Sequence, residues 1–442
     1  MWKRGFNKIM NKKQISFKQR FGLTILLLVL YRLCSHIPLP FVNKDYVQAM
    51  IDSNGSLGIL NTLTGGNLGN MSIVALGITP YITASIVLQL MGVLIPSLSD
   101  MQKDGSTGQD KFNRITIGLA AVLGFVQSLL MMIGYGKQGV LSVYTWYSVL
   151  ISTVIMTLSV FGLSFVGQYI SDHLFGNGIS LLLVTGILCS YLSDGQTLYH
   201  AITYGRKTIY LQVIACFVAI LVILLLFSFT IWLNSCEKRV HVNYSQKLGF
   251  GYMKQKNVIP FKLIGSGVVP VIFASTILTI PAYIQMFTKT DVRWLHVFNT
   301  SHWLSKTEWW ANFGILLYFL MIIGFSYYYQ SLNLNEHEIA DNLKRAGGSI
   351  VGVRPGRDTE LYLRKNMKYL TFLGSIGLCV IAFVPIVLSV VLGVPNLSFV
   401  GTSIIIVVSV IDETYLDYKT EKIGISYKSV KHVHKRKAVS RL

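Results

Sequence analysis

Residues 209–233 read IYLQVIACFVAILVILLLFSFTIWL. No charged side chain interrupts them, and at about 1.5 Å per helical residue they outreach the roughly 30 Å of hydrocarbon in a bilayer. This run is a membrane span, and working outward from it the chain divides into ten. The others are about 17–37, 71–95, 114–134, 147–169, 179–192, 263–284, 311–330, 369–392 and 396–411. If their ends alternate across a membrane, 31 Lys and Arg fall in the exposed segments and adjoining span ends of one side and 7 in those of the other. Arg32, inside the first run, completes the 39. Such asymmetry places the basic side, with both termini, in the cytosol.

Composition agrees. Of 442 residues 52% are hydrophobic and 13% charged, against about 25% charged in soluble chains. Mean hydropathy is +0.53. The net charge of +20 is accounted for by the basic loops, with no need of nucleic acid. The five cysteines, Cys34, Cys189, Cys216, Cys236 and Cys379, lack metal-site spacing and read as unpaired thiols. The histidines do not cluster, so no metal and no cofactor is expected. A basic start followed by 21–31 could mimic a signal peptide, but no small-residue cleavage site follows; the span is expected to be retained.

Two long basic segments face the cytosol in this scheme. One, 234–262, carries Lys238 and Arg239; the other, 331–368, carries Lys344, Arg345, Arg354 and Arg357. In the second, Asn335 can cap a helix with Glu338 three residues on, Ile339 and Leu343 form an apolar pair, and Gly347 ends it. GVRPG then turns sharply and exposes Arg354. A solvated loop helix and a docking platform both fit. Outside, LGILNTLTGGNLGN (57–70) is too short to span and is broken by Gly65, Gly66 and Gly69. It is an external loop or a re-entrant segment surrounded by protein.

No Asp, Glu, Lys or Arg lies near the middle of a span, where an ion-coupled transporter would place one. Arg32 sits in the outer part of the first span, where snorkelling suffices. No phosphate loop, H-E-x-x-H or G-x-S-x-G occurs, and no catalytic residue is assigned. A passive channel, a small-molecule or lipid-linked-sugar transporter, and a scaffold without a pore remain open.

Several strings resemble the SecY family in family order: SIVALGITPYITASIVLQL (72–90), IPFKLIGSGVVPVIFASTIL (259–278), EIADNLKRAGGSIVGVRPGRDTELYLRK (338–365) and VGTSIIIVVSVID (400–412). The resemblance implies an all-α membrane protein, with ten transmembrane helices in two pseudo-symmetric inverted halves of five, 1–208 and 209–442, around a central pore. It implies a protein-conducting channel of the bacterial cytoplasmic membrane that passes preproteins. Its partners would be a SecA-type ATPase, a SecE-type subunit and a SecG-type or accessory one.

By position in those strings and in GNGISLLL (176–183), the constriction ring would be Ile82, Ile86, Ile179, Leu183, Ile272 and Ile406. Ordinary interhelical packing is the alternative for each. The plug would be about 57–69, with Leu57, Leu60, Leu63, Gly65 and Gly66. The side gate would include Gln127, and Ile264 where the family commonly has Asn. Lys238, Arg239, Lys344, Arg345, Arg354 and Arg357 would meet the motor. Ile264, a shortened loop after Glu237 and a divergent tail resemble the accessory SecY of some Gram-positive bacteria, which exports serine-rich glycosylated adhesins. The alternative is the general housekeeping translocon.

Overall fold

A computed structural model of the chain describes residues 17–43, 47, 61, 64–103, 105–136, 140–204, 209–244, 258–265, 267–287, 297–298, 303–304, 309–392 and 400–439. Its helices are α1 (Phe17–Cys34), α2 (Thr79–Leu94), α3 (Pro96–Lys103), α4 (Gly105–Gly136), α5 (Trp146–His173), α6 (Gly178–Tyr204), α7 (Ile209–Ser235), α8 (Val269–Phe287), α9 (Phe313–Asn333), α10 (Glu336–Arg345), α11 (Arg357–Leu392) and α12 (Val400–Val439). Each of the ten apolar runs carries a helix. Among the described residues the additions are the short α3, the loop helix α10, a 3-10 turn (Trp309–Asn312) and three strands: β1 (Glu237–Tyr244), β2 (Val258–Lys262) and β3 (Gly348–Ile350).

Helix boundaries depart from the apolar runs for local reasons. The second run starts at 71, yet its helix starts at Thr79. Between them Gly77 takes a φ of +55°, and Pro80 sits in the first turn, where its fixed φ suits a fresh start. The helix of the ninth run, α11, begins at Arg357, 12 residues before that run, because a polar extension packs Thr359, Leu363 and Met367 inward.

The described residues group into two compact units, those from 17 to 192 with those from 407 on, and those from 193 to 406. In the first unit α4 and α5 pack closely at Gly124, where a Cβ would lie 3.1 Å from a Val160 methyl. Ser128 Oγ lies 3.3 Å from Thr157 Oγ1 on the facing helix. The α5–α6 turn is tighter. A Cβ on Gly178 would fall 2.2 Å from the Gly167 carbonyl oxygen, so only glycine lets α6 start there. The Gly178 N–H donates to Ser171 Oγ at 2.9 Å.

In the second unit Phe273 on α8 meets Phe325 and Tyr329 on α9 edge-on, at 5.7 and 5.2 Å. Pro385 interrupts α11 and leaves the Ile381 carbonyl without its helical donor. Gly401 of α12 crosses at that carbonyl, where a Cβ would lie 2.4 Å from the oxygen. The crossing sets the start of α12 against α11.

The sheet has the order β2-β1-β3 and is antiparallel throughout. Along β1, Val240 and Val242 are buried while Arg239, His241 and Asn243 are exposed, the alternation of a half-buried strand. Pro260, which cannot donate to a ladder, sits on the edge strand β2 opposite Arg239. With Phe261, Leu343, Ile350, Leu363 and Met367 the two valines form a small core. The two long basic loops therefore fold into one platform.

Candidate functional site

In the first unit the four expected ring residues lie on two helices at i, i+4 spacing. Ile82 and Ile86 are on α2, and Ile179 and Leu183 on α6. Ile86 and Leu183 are buried, Ile82 and Ile179 half-buried. The same spacing on each helix puts both side chains of a pair on one face. In the second unit Ile272 is half-buried in the first turn of α8, and Ile406 is buried on α12.

The stretch ahead of α2 is neither helix nor solvated loop. From Thr64 to Ile78 only Asn70 is exposed. Such burial demands that the backbone groups find partners. The Gly66 N–H donates to the Asn61 carbonyl and the Asn70 N–H to the Gly66 carbonyl. The Gly69 N–H donates to Asn61 Oδ1 at 2.7 Å. Met71 and Ile73 pair with Leu39 and Ile37, and Ser159 Oγ donates to the Ile73 carbonyl. Gly65 and Gly66 adopt φ near +75° and +78°, open to glycine at no steric cost. Leu57, Leu60 and Leu63 lie outside the described residues.

Arg32, half-buried in the last turn of α1, has a partner that the sequence does not show: Nη1 donates to the Gly65 carbonyl at 3.0 Å. Beside it, Asn67 Nδ2 donates to Tyr31 Oη at 2.9 Å. No sequence signal pairs these residues, because 33 and 36 positions separate the partners.

The two gate candidates have different settings. Gln127, half-buried on α4, has its Oε1 buried without a hydrogen-bond partner among the described residues. Ile264 precedes α8 instead of lying in it; it is buried, within a turn closed by a Gly267 N–H to Ile264 carbonyl bond. The backbone there crosses α11 at Gly374, where a Cβ would lie 2.5 Å from the Leu263 carbonyl oxygen.

On the platform, Asn335 caps α10 as expected, its Oδ1 accepting from the Glu338 N–H at 3.4 Å. Gly347 closes the helix at a φ of +66°. Lys238, Arg239, Lys344, Arg345, Arg354 and Arg357 are all exposed. Two have partners that temper them: Lys238 donates to Asn366, and Arg239 pairs with Glu237. Arg354 has no acidic partner among the described residues, yet its backbone is fixed. The Thr359 hydroxyl, fully buried, donates to the Arg354 carbonyl at 2.9 Å, and Val353 packs against the small core.

His337 ties α10 to α11. Its Nδ1 lies 3.0 Å from Glu360 Oε2, and Arg364 pairs with the other oxygen. The Glu360 hydrogen bond, with Asp341 helping, raises the imidazole above its usual 6.5; the same bond lowers Glu360 below 4.5. The histidine contribution is complete below 6.5 and fades as pH rises through the raised value. The carboxylate contribution is complete above 4.5 and fades as pH falls through the lowered one. The His337 NMR titration midpoint should therefore exceed 6.5, and Glu360→Gln should bring it down. A midpoint unmoved by that substitution would show that the tie does not form.

The SecY family profile matches residues 72–415. The chain is 32% identical over 438 residues to the protein translocase subunit SecY of Bacillus licheniformis, covering 97% of this chain and all of that one. It is 32% identical over 435 residues to the Bacillus subtilis subunit of the same name, covering 96% and 99%. Its fold is similar to a solved protein conducting channel, with a TM-score of 0.65 at 17% identity over 94% of each chain. It also resembles Sec61 of the canine ribosome-channel complex, with a TM-score of 0.61 at 16% identity over 94% of each chain. With a family match spanning most of the sequence, relatives aligned end to end and the ten-helix channel fold, the chain belongs to the SecY family of protein translocase channel subunits.

Proposed function

We propose that this subunit conducts unfolded preproteins across, and laterally into, the bacterial cytoplasmic membrane, with both termini and the platform in the cytosol. The halves 1–208 and 209–442 would enclose the pore. Ile82, Ile86, Ile179, Leu183, Ile272 and Ile406 would form its constriction, because branched apolar side chains close around a chain without binding it and repel water when it is empty. The segment 57–69 would plug the outer side. Gln127 and Ile264 would belong to the side gate. A SecA-type ATPase on the platform would supply the energy, and SecE-type and SecG-type or accessory subunits would complete the complex. The observation carrying this reading is the 64–78 stretch: irregular backbone, buried, ahead of the helix that bears Ile82 and Ile86. Irregular backbone persists at membrane depth only where protein or a water-filled cavity surrounds it.

The finer reading is an accessory system exporting serine-rich glycoprotein adhesins. Buried, apolar Ile264 supports it, since a polar latch cannot form from that side chain. The test is reconstitution in vesicles with the small subunits and a matched motor. ATP-dependent protection of a signal-bearing serine-rich preprotein, without transport of a general secretory preprotein, is the result expected. Transport of both returns the general translocon, and transport of neither by a folded complex overturns the channel reading.

A further inference from the structure

We propose that Arg32 and Gly186 are positioning residues that hold the 64–72 segment in its seat and link that seat to the constriction; the second half of this rests on reading 57–69, which this segment overlaps, as the plug. Two helices grip the segment. From α1, Arg32 binds the Gly65 carbonyl, and the adjacent Tyr31 accepts from Asn67. From α6, Gly186 meets Gly65 backbone to backbone. A Cβ on Gly65 would lie 2.3 Å from Gly186 Cα, and one on Gly186 would lie 3.2 Å from Gly65 Cα.

Position 186 follows Ile179 by seven residues and Leu183 by three, so all three share one face of α6. A displacement of α6 that parts the ring side chains therefore also moves the surface on which Gly65 rests. The α1 grip acts separately. A guanidinium bonded to a carbonyl makes a stronger contact than a neutral pair. Arg32 also lies in the last turn of α1, so on release its long side chain can extend to the aqueous boundary. The tether thus opens without stranding a charge in hydrocarbon.

The test uses the full complex in native membranes, with its own cysteines replaced and one cysteine placed at buried Leu68. A membrane-impermeant maleimide reports release, and bilayer conductance is recorded on the same variants. Arg32→Gln should speed labelling about tenfold, equivalent to ~1.4 kcal/mol. Gly186→Ala should speed it too, since its new methyl presses on Gly65. Arg32→Lys, which keeps a charged donor, should fall between. Should Arg32→Gln fail to accumulate, Gly186→Ala decides. Labelling unchanged in the variants overturns the proposal. Faster labelling with unchanged conductance keeps the two grips and removes the plug reading instead.

Discussion

Replacing Ile86 and Ile406 together by Asn is expected to raise the resting conductance of the purified channel by about tenfold or more, since in the proposed ring a dry apolar constriction would be the barrier to ions. Both side chains are almost completely buried, 4% and 1% exposed. An amide buried without a partner costs roughly 2–7 kcal/mol against an apolar reference. In the constriction proposed above, the cheapest relief for two such amides is to admit water, and water brings ions. The control is a pair of equally buried isoleucines outside the assigned ring, Ile170 and Ile322, replaced the same way. Those should lower stability without opening a conducting path. Planar-bilayer recording decides it: a folded double variant with wild-type leak would leave the six positions as ordinary packing. A cooperative thermal transition of the purified channel, near the wild-type midpoint, reports whether the variant is folded.

The helices were legible because a lipid-facing helix must be apolar all round, and a 25-residue run without charge says so directly. The strands were harder. Val240 and Val242 alternate with Arg239, His241 and Asn243, a period-two signal present in the letters but only a few residues long. Its partner β2 carries Pro260, which argues against a central strand and is tolerated only because β2 lies at an edge. The starts of α2 and α11 part from the apolar runs for one reason: hydropathy marks where lipid is, not where helix is. Apolar 71–78 is buried in turns, while polar 357–368 is helical against the platform core.

Site residues divide along the same line. The i, i+4 pairs Ile82–Ile86 and Ile179–Leu183 follow from helical periodicity once the strings are aligned. The α10 cap at Asn335 is local and was readable outright. The Arg32–Gly65 and Tyr31–Asn67 bonds and the Gly65–Gly186 contact join positions far apart in sequence, and only the folded backbone brings them together. A charged residue near a span end has two solutions, the interface or a buried acceptor, and the letters do not choose between them.

Arg354 is expected to be the most sensitive single position on the platform. Its backbone is pinned on both sides: Thr359 holds its carbonyl, and the flanking Gly352 and Gly356 take φ of +79° and +105°, with Pro355 stiffening the turn between. The side chain then projects from a rigid support, so little order remains to be imposed when a partner arrives. No acidic neighbour among the described residues competes for it. A guanidinium offers a planar fork to a carboxylate, which an ammonium cannot reproduce. Arg354→Lys should therefore impair motor-driven export as well as Arg354→Ala. A loss of about tenfold or more is expected if one charge-assisted contact of roughly 1.5–3 kcal/mol is removed. Membrane insertion and thermal stability should stay within the small range of exposed substitutions. Lys344 and Arg345 project from α10 as ordinary exposed charges, and their alanine variants should cost under about 1 kcal/mol each. Lys238 and Arg239 already have partners on the platform and should matter less still. Export and motor binding must be measured together, because a docking residue moves both. Wild-type export by Arg354→Ala would remove the reason for placing the motor on this turn, and normal binding with lost export would move Arg354 from docking to a later step.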